Sequence, residues 1–276
     1  MTHPLLKTYK VGFIGAGHMA QALIKGMVES KLLRPDQILV SNRTPGKPLK
    51  LKELYQIQTR EHNEQIVEEC DIVILAMKPQ DLPQAMANLA SAFNENQIVI
   101  SLAAGITMRS LQKMIPQPRL VRLMPNTPSL IGRGVLGVLA NKKDEVVTEI
   151  TKDLFSGLGV ILELETEDQF DALMISCSSG TGFVFEMMMY WQDWIIEHGF
   201  TPEQAKMMTI ETFVGASLLA AQSAGVDIEE LQQRVTSKKG VTAAGLNSMR
   251  ELEIERALRI SFEKAALRSQ EIARQT

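Results

Sequence analysis

Cysteine is scarce: Cys70 and Cys177 are the only two in 276 residues. Each sits in an apolar or helical segment and neither belongs to a C-x-x-C pair, which argues against a disulfide framework or a zinc site and for a reducing compartment. An excess of one charge is missing as well. The formal net charge is −3 and no basic block stands out, so nucleic acid is not an expected partner. The opening residues lack the apolar core of a secretory signal, and no later stretch supplies about 18 uncharged apolar residues in a row. Repeats and low-complexity segments are absent too. With 45% apolar residues the chain should fold as a globular protein. These absences together predict a cytoplasmic protein, without membrane, metal or nucleic-acid partners, whose ligand is a small molecule.

What is present comes in two grammars. Up to about residue 165, short Val/Ile/Leu-rich runs at 10–14, 37–41, 71–77, 97–102, 119–124 and 135–140 alternate with amphipathic stretches. Apolar runs of that length suit strands buried on both faces of a mostly parallel sheet, with helices as crossovers. From Thr166 the pattern turns helical. Thr166-Glu-Asp-Gln169 and Thr201-Pro-Glu-Gln204 read as capping boxes, the second with proline at the first helical position. The second helix should run to about Ala224 and stop at Gly225, Asp227 should cap a short helix through Arg234, and a last helical stretch should cover most of 242–273. The fold class expected is α/β: a doubly wound Rossmann-type domain over residues 1–165, followed by an all-helical dimerisation domain over 166–276.

The segment Val11-Gly-Phe-Ile-Gly-Ala-Gly-His-Met-Ala20 carries the chemistry. Gly15, Gly17 and Ala20 match G-x-G-x-x-G/A between a strand end and a helix, the context a dinucleotide fingerprint requires. Gly15 permits the tight turn, Gly17 lets the backbone approach a pyrophosphate, and Ala20 allows close helix packing. Ala16, His18 and Met19 complete the turn. At the end of the second run stands Ser41-Asn42-Arg43-Thr44, where an NAD site usually places an acid for the ribose 2′-hydroxyl. An arginine flanked by hydroxyls suits a 2′-phosphate instead, although Arg43 as a solvated loop residue stays open. NADP(H) is expected in preference to NAD(H).

The four histidines fall at 3, 18, 62 and 198, and no lysine stands between Lys152 and Lys206. A hydroxy-acid dehydrogenase of this two-part layout needs such a base. Its absence favours reduction of a C=N bond, where a protonated imine arrives already activated.

Several segments together resemble the pyrroline-5-carboxylate reductases: Phe13-Ile-Gly-Ala-Gly17, Ile74-Leu-Ala-Met-Lys-Pro-Gln80, Ser101-Leu-Ala-Ala-Gly-Ile-Thr107, Met124-Pro-Asn-Thr-Pro128 and the glycine-bearing stretch before Thr242. The resemblance implies NADPH-dependent reduction of 1-pyrroline-5-carboxylate to proline, a homodimer intertwined through the helical domain and, often in that family, a ring of five dimers. It implies that Asn63 contacts the adenosine part of the cofactor, though a helix cap is an equally ordinary role. Ala76, Met77, Lys78 and Pro79, like Ala104 and Gly105, fall where apolar runs end, the edge at which open α/β sheets bind ligands. Asn126 lies in a segment expected to frame the nicotinamide, or else in a rigid two-proline turn.

The substrate end is expected in residues 235–243. A glycine loop running into a helix exposes free backbone N–H groups, a ready carboxylate site. The resemblance implies that this loop, from the partner subunit, holds the substrate carboxylate and that Thr242 hydrogen-bonds the ring nitrogen, with Ser237, Gly240 and Val241 shaping the anion site. Thr242 as a helix cap is compatible with that role. The family usually reads Ser-Pro-Gly-Gly-Thr-Thr here, whereas this chain has Ser237-Lys-Lys-Gly-Val-Thr242. If the lost glycine position needs φ > 0, either Lys239 is strained by about 1–2 kcal/mol or the loop takes another path. The two lysines are either solvated or part of a site for a more anionic substrate. A further departure is Ser179-Gly-Thr-Gly-Phe-Val-Phe185, where the family has Ser-Gly-Pro-Ala-Tyr. A different cyclic imine carboxylate, or a non-catalytic NADP-binding role, are the alternatives.

Overall fold

The structure, a computed structural model, describes residues 3–141 and 144–275, with side chains through 272. Among the described residues eight strands form one sheet: β1 (Val11–Ile14), β2 (Ile38–Ser41), β3 (Gln58–Arg60), β4 (Ile72–Leu75), β5 (Ile98–Ser101), β6 (Arg119–Met124), β7 (Gly134–Ala140) and β8 (Gly159–Glu163). Their order is β3-β2-β1-β4-β5-β6-β7-β8, and every pairing is parallel except β6 with β7. The crossovers leave β1 in one direction and return past it to β4 in the other, which makes the β1/β4 edge a topological switch point.

The helices in chain order are α1 (His18–Glu29), α2 (Gly46–Tyr55), α3 (Asn63–Glu69), α4 (Leu82–Leu89), α5 (Met108–Met114), α6 (Glu145–Phe155), α7 (Glu167–Leu173), α8 (Gly180–Glu197), α9 (Pro202–Gln222), α10 (Ile228–Arg234), α11 (Val241–Glu251) and α12 (Ile254–Gln275). A π-helical turn, Met174–Ser179, joins α7 to α8.

Alternation along the strands sorts two cores. Val11, Phe13, Ile72, Ile74, Ile98 and Ile100 pack on one face with Leu23, Ile24 and Met27 of α1 and Val147, Ile150 and Leu154 of α6. Ile14, Val73, Leu75 and Val99 point the other way, onto Ile66 and Val67 of α3, Leu82, Met86 and Leu89 of α4 and Leu111 of α5. Each such side chain contributes roughly 1.5–3 kcal/mol by leaving water. This is the doubly wound architecture expected from the sequence.

The differences lie at weaker signals. β3 and β8 were not expected. Gln58–Arg60 has no apolar pattern, and Gly159–Glu163 is half exposed, as edge strands are. The stretch after Gly240 is two helices, because Glu253 takes a left-handed backbone (φ 52°) between α11 and α12. α9 stops at Gln222, two residues before the expected end. The Thr201 capping box and Pro202 are in place, and Asp227 is the N-cap of α10.

The chain divides into two compact units, Met1–Thr181 with Ala265–Thr276, and Gly182–Lys264. The change to all-helical grammar does come at Thr166, whose side chain accepts from the Gln169 N–H. The packing unit nevertheless runs on past residue 165, because Phe170 and Leu173 of α7 are buried in it and Glu167 pairs with Arg122 of β6.

Within the second unit, α8 and α9 leave a broad apolar surface uncovered: Phe185, Met187, Met189, Tyr190, Trp191 and Trp194 on the first, Met207, Val214 and Leu219 on the second. The run Glu167–Glu197 is long and apolar enough to cross a membrane by length and composition alone.

Candidate functional site

The cleft at the C-terminal ends of β1, β2 and β4 is built by backbone geometry first. Gly15 sits at φ +107°, and a Cβ there would lie 2.5 Å from the Ala76 carbonyl oxygen. Only glycine lets the β1 turn pass the end of β4 this closely. Gly15 N–H donates to the Ser41 carbonyl (2.8 Å) and Ala76 N–H to that of Ile14 (2.9 Å), so three strand ends are tied together. Gly17 then serves as N-cap of α1 without a side-chain cap. The N–H groups of His18, Met19 and Ala20 have no acceptor within the described residues, and the first turn carries no acid. Free N–H groups at the positive end of a helix form an anion site.

The resulting cavity is about 590 Å³. Of the residues expected from the sequence, it is lined by Gly15, Ala16, Gly17, Asn42, Arg43, Asn63, Ala76, Met77 and Lys78. Ser41 is fully buried beneath it, its hydroxyl donating to Asn63 Oδ1 at 2.8 Å. Asn63 is therefore held by a side-chain bond, and the N-cap of α3 is His62, so the capping alternative for Asn63 does not apply. His18, Met19, Ala20, Pro79, Ala104 and Gly105 border the same sheet edge without lining the cavity.

Sequence reasoning missed Lys47, Asp81, Gln84 and Asn88, which also line it, as does Thr44, read from the sequence only as a hydroxyl flanking Arg43. Their spacing was a usable signal. Lys47 follows Arg43 by four residues into the first turn of α2, while Asp81, Gln84 and Asn88 recur at the three- and four-residue steps of one helix face. Three cations, Arg43, Lys47 and Lys78, thus face one acid, Asp81.

Asn126 lies outside the cavity lining, and its side chain is held by two backbone groups. It is 5% exposed; its Oδ1 accepts from Val135 N–H (2.9 Å) and its Nδ2 donates to the Cys177 carbonyl (3.2 Å). Ser178 Oγ donates to the Pro125 carbonyl at 3.0 Å. The π-turn therefore grips the Met124–Pro128 segment from one side, and π-turns recur at functional sites.

The expected substrate loop lies in the second unit. Gly240, not Thr242, is the N-cap of α11; Val241 and Thr242 occupy the first helical positions, and both are exposed. The capping role considered for Thr242 is corrected accordingly. The first-turn N–H groups of Val241, Thr242 and Ala243 find no acceptor among the described residues. Ser237 O accepts from Gly240 N–H at 3.0 Å, and a Cβ on Gly240 would lie 2.1 Å from Ser237 Oγ. Lys239 takes φ +59°, the left-handed conformation anticipated for the lost glycine position.

These parts fit a nicotinamide dinucleotide: a glycine cradle that a Cβ would fill, free N–H groups for the pyrophosphate, and cations beside the end of β2. Residues 10–105 match the family model described as NADP oxidoreductase, coenzyme F420-dependent, and residues 167–272 match pyrroline-5-carboxylate reductase dimerisation. A pyrroline-5-carboxylate reductase of Pseudomonas aeruginosa is 34% identical over 98% of this chain and 99% of its own. The solved pyrroline-5-carboxylate reductase of Coxiella burnetii superposes with a TM-score of 0.90 at 29% identity, covering 96% of this chain and 99% of that one. A Plasmodium falciparum pyrroline carboxylate reductase, solved with NADP bound, shares the fold at a TM-score of 0.86 and 23% identity, covering 97% and 99%. The cofactor half and the helical half are matched together over the whole length, and the chain belongs to the pyrroline-5-carboxylate reductase family.

Proposed function

We propose that this enzyme reduces 1-pyrroline-5-carboxylate to L-proline, with NADPH preferred over NADH. The observation that carries the reading is the likeness to a pyrroline-5-carboxylate reductase at 34% identity along essentially the full length. When bound, the cofactor supplies a hydride for the imine carbon. The protein's own contribution is orientation. His18, Met19 and Ala20 N–H groups would hold the pyrophosphate, and Arg43 and Lys47 the 2′-phosphate. The free N–H groups of α11, with Ser237, Gly240 and Val241 around them, would hold the substrate carboxylate, and the Thr242 hydroxyl would orient the ring nitrogen. Alignment of reacting groups is worth several kcal/mol of barrier without a strong acid. The test follows NADPH absorbance with 1-pyrroline-5-carboxylate, beside an NADH control and Thr242→Ala. Turnover that prefers NADPH and falls in the variant is the expected result; tight NADPH binding without consumption refutes it.

A second reading keeps the chemistry and changes the substrate to another cyclic imine carboxylate. It is favoured by Lys238 and by Lys239 at φ +59°, which place two lysines where the family has proline and glycine. The same assay with other cyclic imines separates the two.

The helical domain is assigned to homodimer formation, supported by the dimerisation match over residues 167–272 and the uncovered faces of α8 and α9. A contiguous uncovered apolar face of this kind is the mark of an interaction site. A dimer, or five dimers in a ring, is read by light scattering coupled to size exclusion. A cytoplasmic location fits two unpaired thiols.

A further inference from the structure

The Arg122 guanidinium belongs to none of the roles above. It is 2% exposed on β6, between Ser101 of β5 and Leu139 of β7. Its carbon lies 3.7 Å from the Phe170 ring centroid, Nη1 donates to Glu167 Oε2, and Nε has no partner among the described residues. A guanidinium this buried is costly, and a hydrophobic residue of similar volume often replaces such a pair without loss of stability. Stability alone is therefore a weak account of it.

Glu167 has a second bond. Its Oε1 accepts from Met108 N–H at 2.7 Å, the first residue of α5, directly after the 104–107 turn. α7 leads into the π-turn, whose Cys177 carbonyl and Ser178 hydroxyl hold Asn126 and Pro125. One continuous helical segment, residues 167–178, thus ties together the loop after β5 and the loop after β6, and the Arg122–Glu167 pair fastens it to the sheet. These two loops carry Ala104, Gly105 and Asn126.

We propose that Arg122 and Glu167 are positioning residues that fix the spacing of the 104–107 and 124–128 loops, and so the alignment of the nicotinamide with the imine. The catalytic part rests on the function proposed above; the loop-spacing part does not.

The experiment compares the full-length enzyme with Arg122→Met/Glu167→Gln, which removes both charges while keeping an acceptor for Met108 N–H. Arg122→Lys, which retains the cation, is the conservative control. Amide hydrogen exchange without substrate reads the loops directly. In the double variant it should rise at least tenfold at 104–107 and at 126–127, with the melting temperature within a few degrees. Unchanged exchange overturns the proposal. With NADPH and 1-pyrroline-5-carboxylate, kcat should fall at least tenfold, KM for NADPH should stay within twofold, and the isotope effect with C4-deuterated NADPH should grow. Arg122→Lys should recover much of kcat. Wild-type kcat in the double variant reduces the pair to a structural role and also overturns the proposal. Should the double variant not fold, Glu167→Gln alone is read by the same exchange criterion. If the wild-type enzyme consumes no NADPH, the proposed function falls, and exchange alone decides the loop-spacing role.

Discussion

Ala16 donates its backbone N–H to Asn42 Oδ1 at 3.1 Å, so the glycine turn after β1 and the loop after β2 are one hydrogen-bonded piece. Asn42 spends its Nδ2 on the Thr44 carbonyl (2.9 Å) and hydroxyl (3.0 Å). Its work is to shape the loop that presents Arg43. Asn42→Ala strands the Ala16 N–H and frees the loop, a loss of about 1–3 kcal/mol. The expected result is a melting temperature lower by several degrees and a KM for NADPH raised about tenfold, with kcat at saturation little changed. A KM equal to wild type would show that the loop forms without this bond.

Arg43 should decide between the two nicotinamide cofactors. A charge-assisted bond to a phosphate is worth roughly 1.5–3 kcal/mol, which is about 10- to 150-fold in affinity. Arg43→Ala should therefore raise Kd for NADPH by at least tenfold and leave NADH within twofold, measured by fluorescence titration. Lys47→Ala should act in the same direction and more weakly, since an ammonium lacks the bidentate fork. An equal loss for both cofactors would place Arg43 away from the 2′-phosphate.

The parts of this protein that were legible in the sequence are those where one local rule decides. Buried parallel strands are continuous apolar runs, and six of eight were read that way; β3 and β8 were missed because an edge strand such as Gln58–Arg60 buries too little to leave a pattern. The glycine turn was legible because Gly15 has no alternative at φ +107° against the Ala76 carbonyl. Lys239 was legible for the same reason in reverse, a side chain where a family glycine stands. The partners that hold Asn126 and Arg122 were not. Their roles depend on Cys177 and Glu167, which lie 51 and 45 residues away along the chain and meet them only after folding.

The left-handed backbone of Lys239 should make Lys239→Gly a stabilising change. Relief of a strained αL residue returns about 1 kcal/mol, less the entropy that glycine adds to the unfolded chain. A melting temperature at or slightly above wild type is expected, read by calorimetry. Activity separates the two meanings of the lysines. Unchanged kcat/KM and salt dependence in Lys239→Gly would mark Lys239 as a solvated residue; a lower kcat/KM with a flatter salt dependence would mark it as a charge that draws the carboxylate substrate.

Cys70 gives a prediction in alkaline solution. It is 4% exposed, packed where a Cβ on Gly12 would come within 2.7 Å of its Sγ. Burial first, then the negative charges of Glu69 and Asp71, push its thiol from about 9 up to about 12. In the unfolded chain the thiol ionises near 9, while in the folded protein it stays protonated. The unfolded state therefore binds fewer protons between these values, and stability falls as pH rises through that window, by up to about 1.4 kcal/mol per unit. Below pH 9 both states hold the proton and the contribution is flat. Denaturant midpoints for wild type and Cys70→Ala, measured from pH 7 to 11, should run parallel up to pH 9 and converge above it, because alanine lacks the titration. The same thiol should resist alkylation at pH 8 in the native protein and react once urea unfolds it. Parallel curves through pH 11 would mean that the folded thiol ionises as readily as the unfolded one, and that the Gly12–Cys70 packing opens in solution.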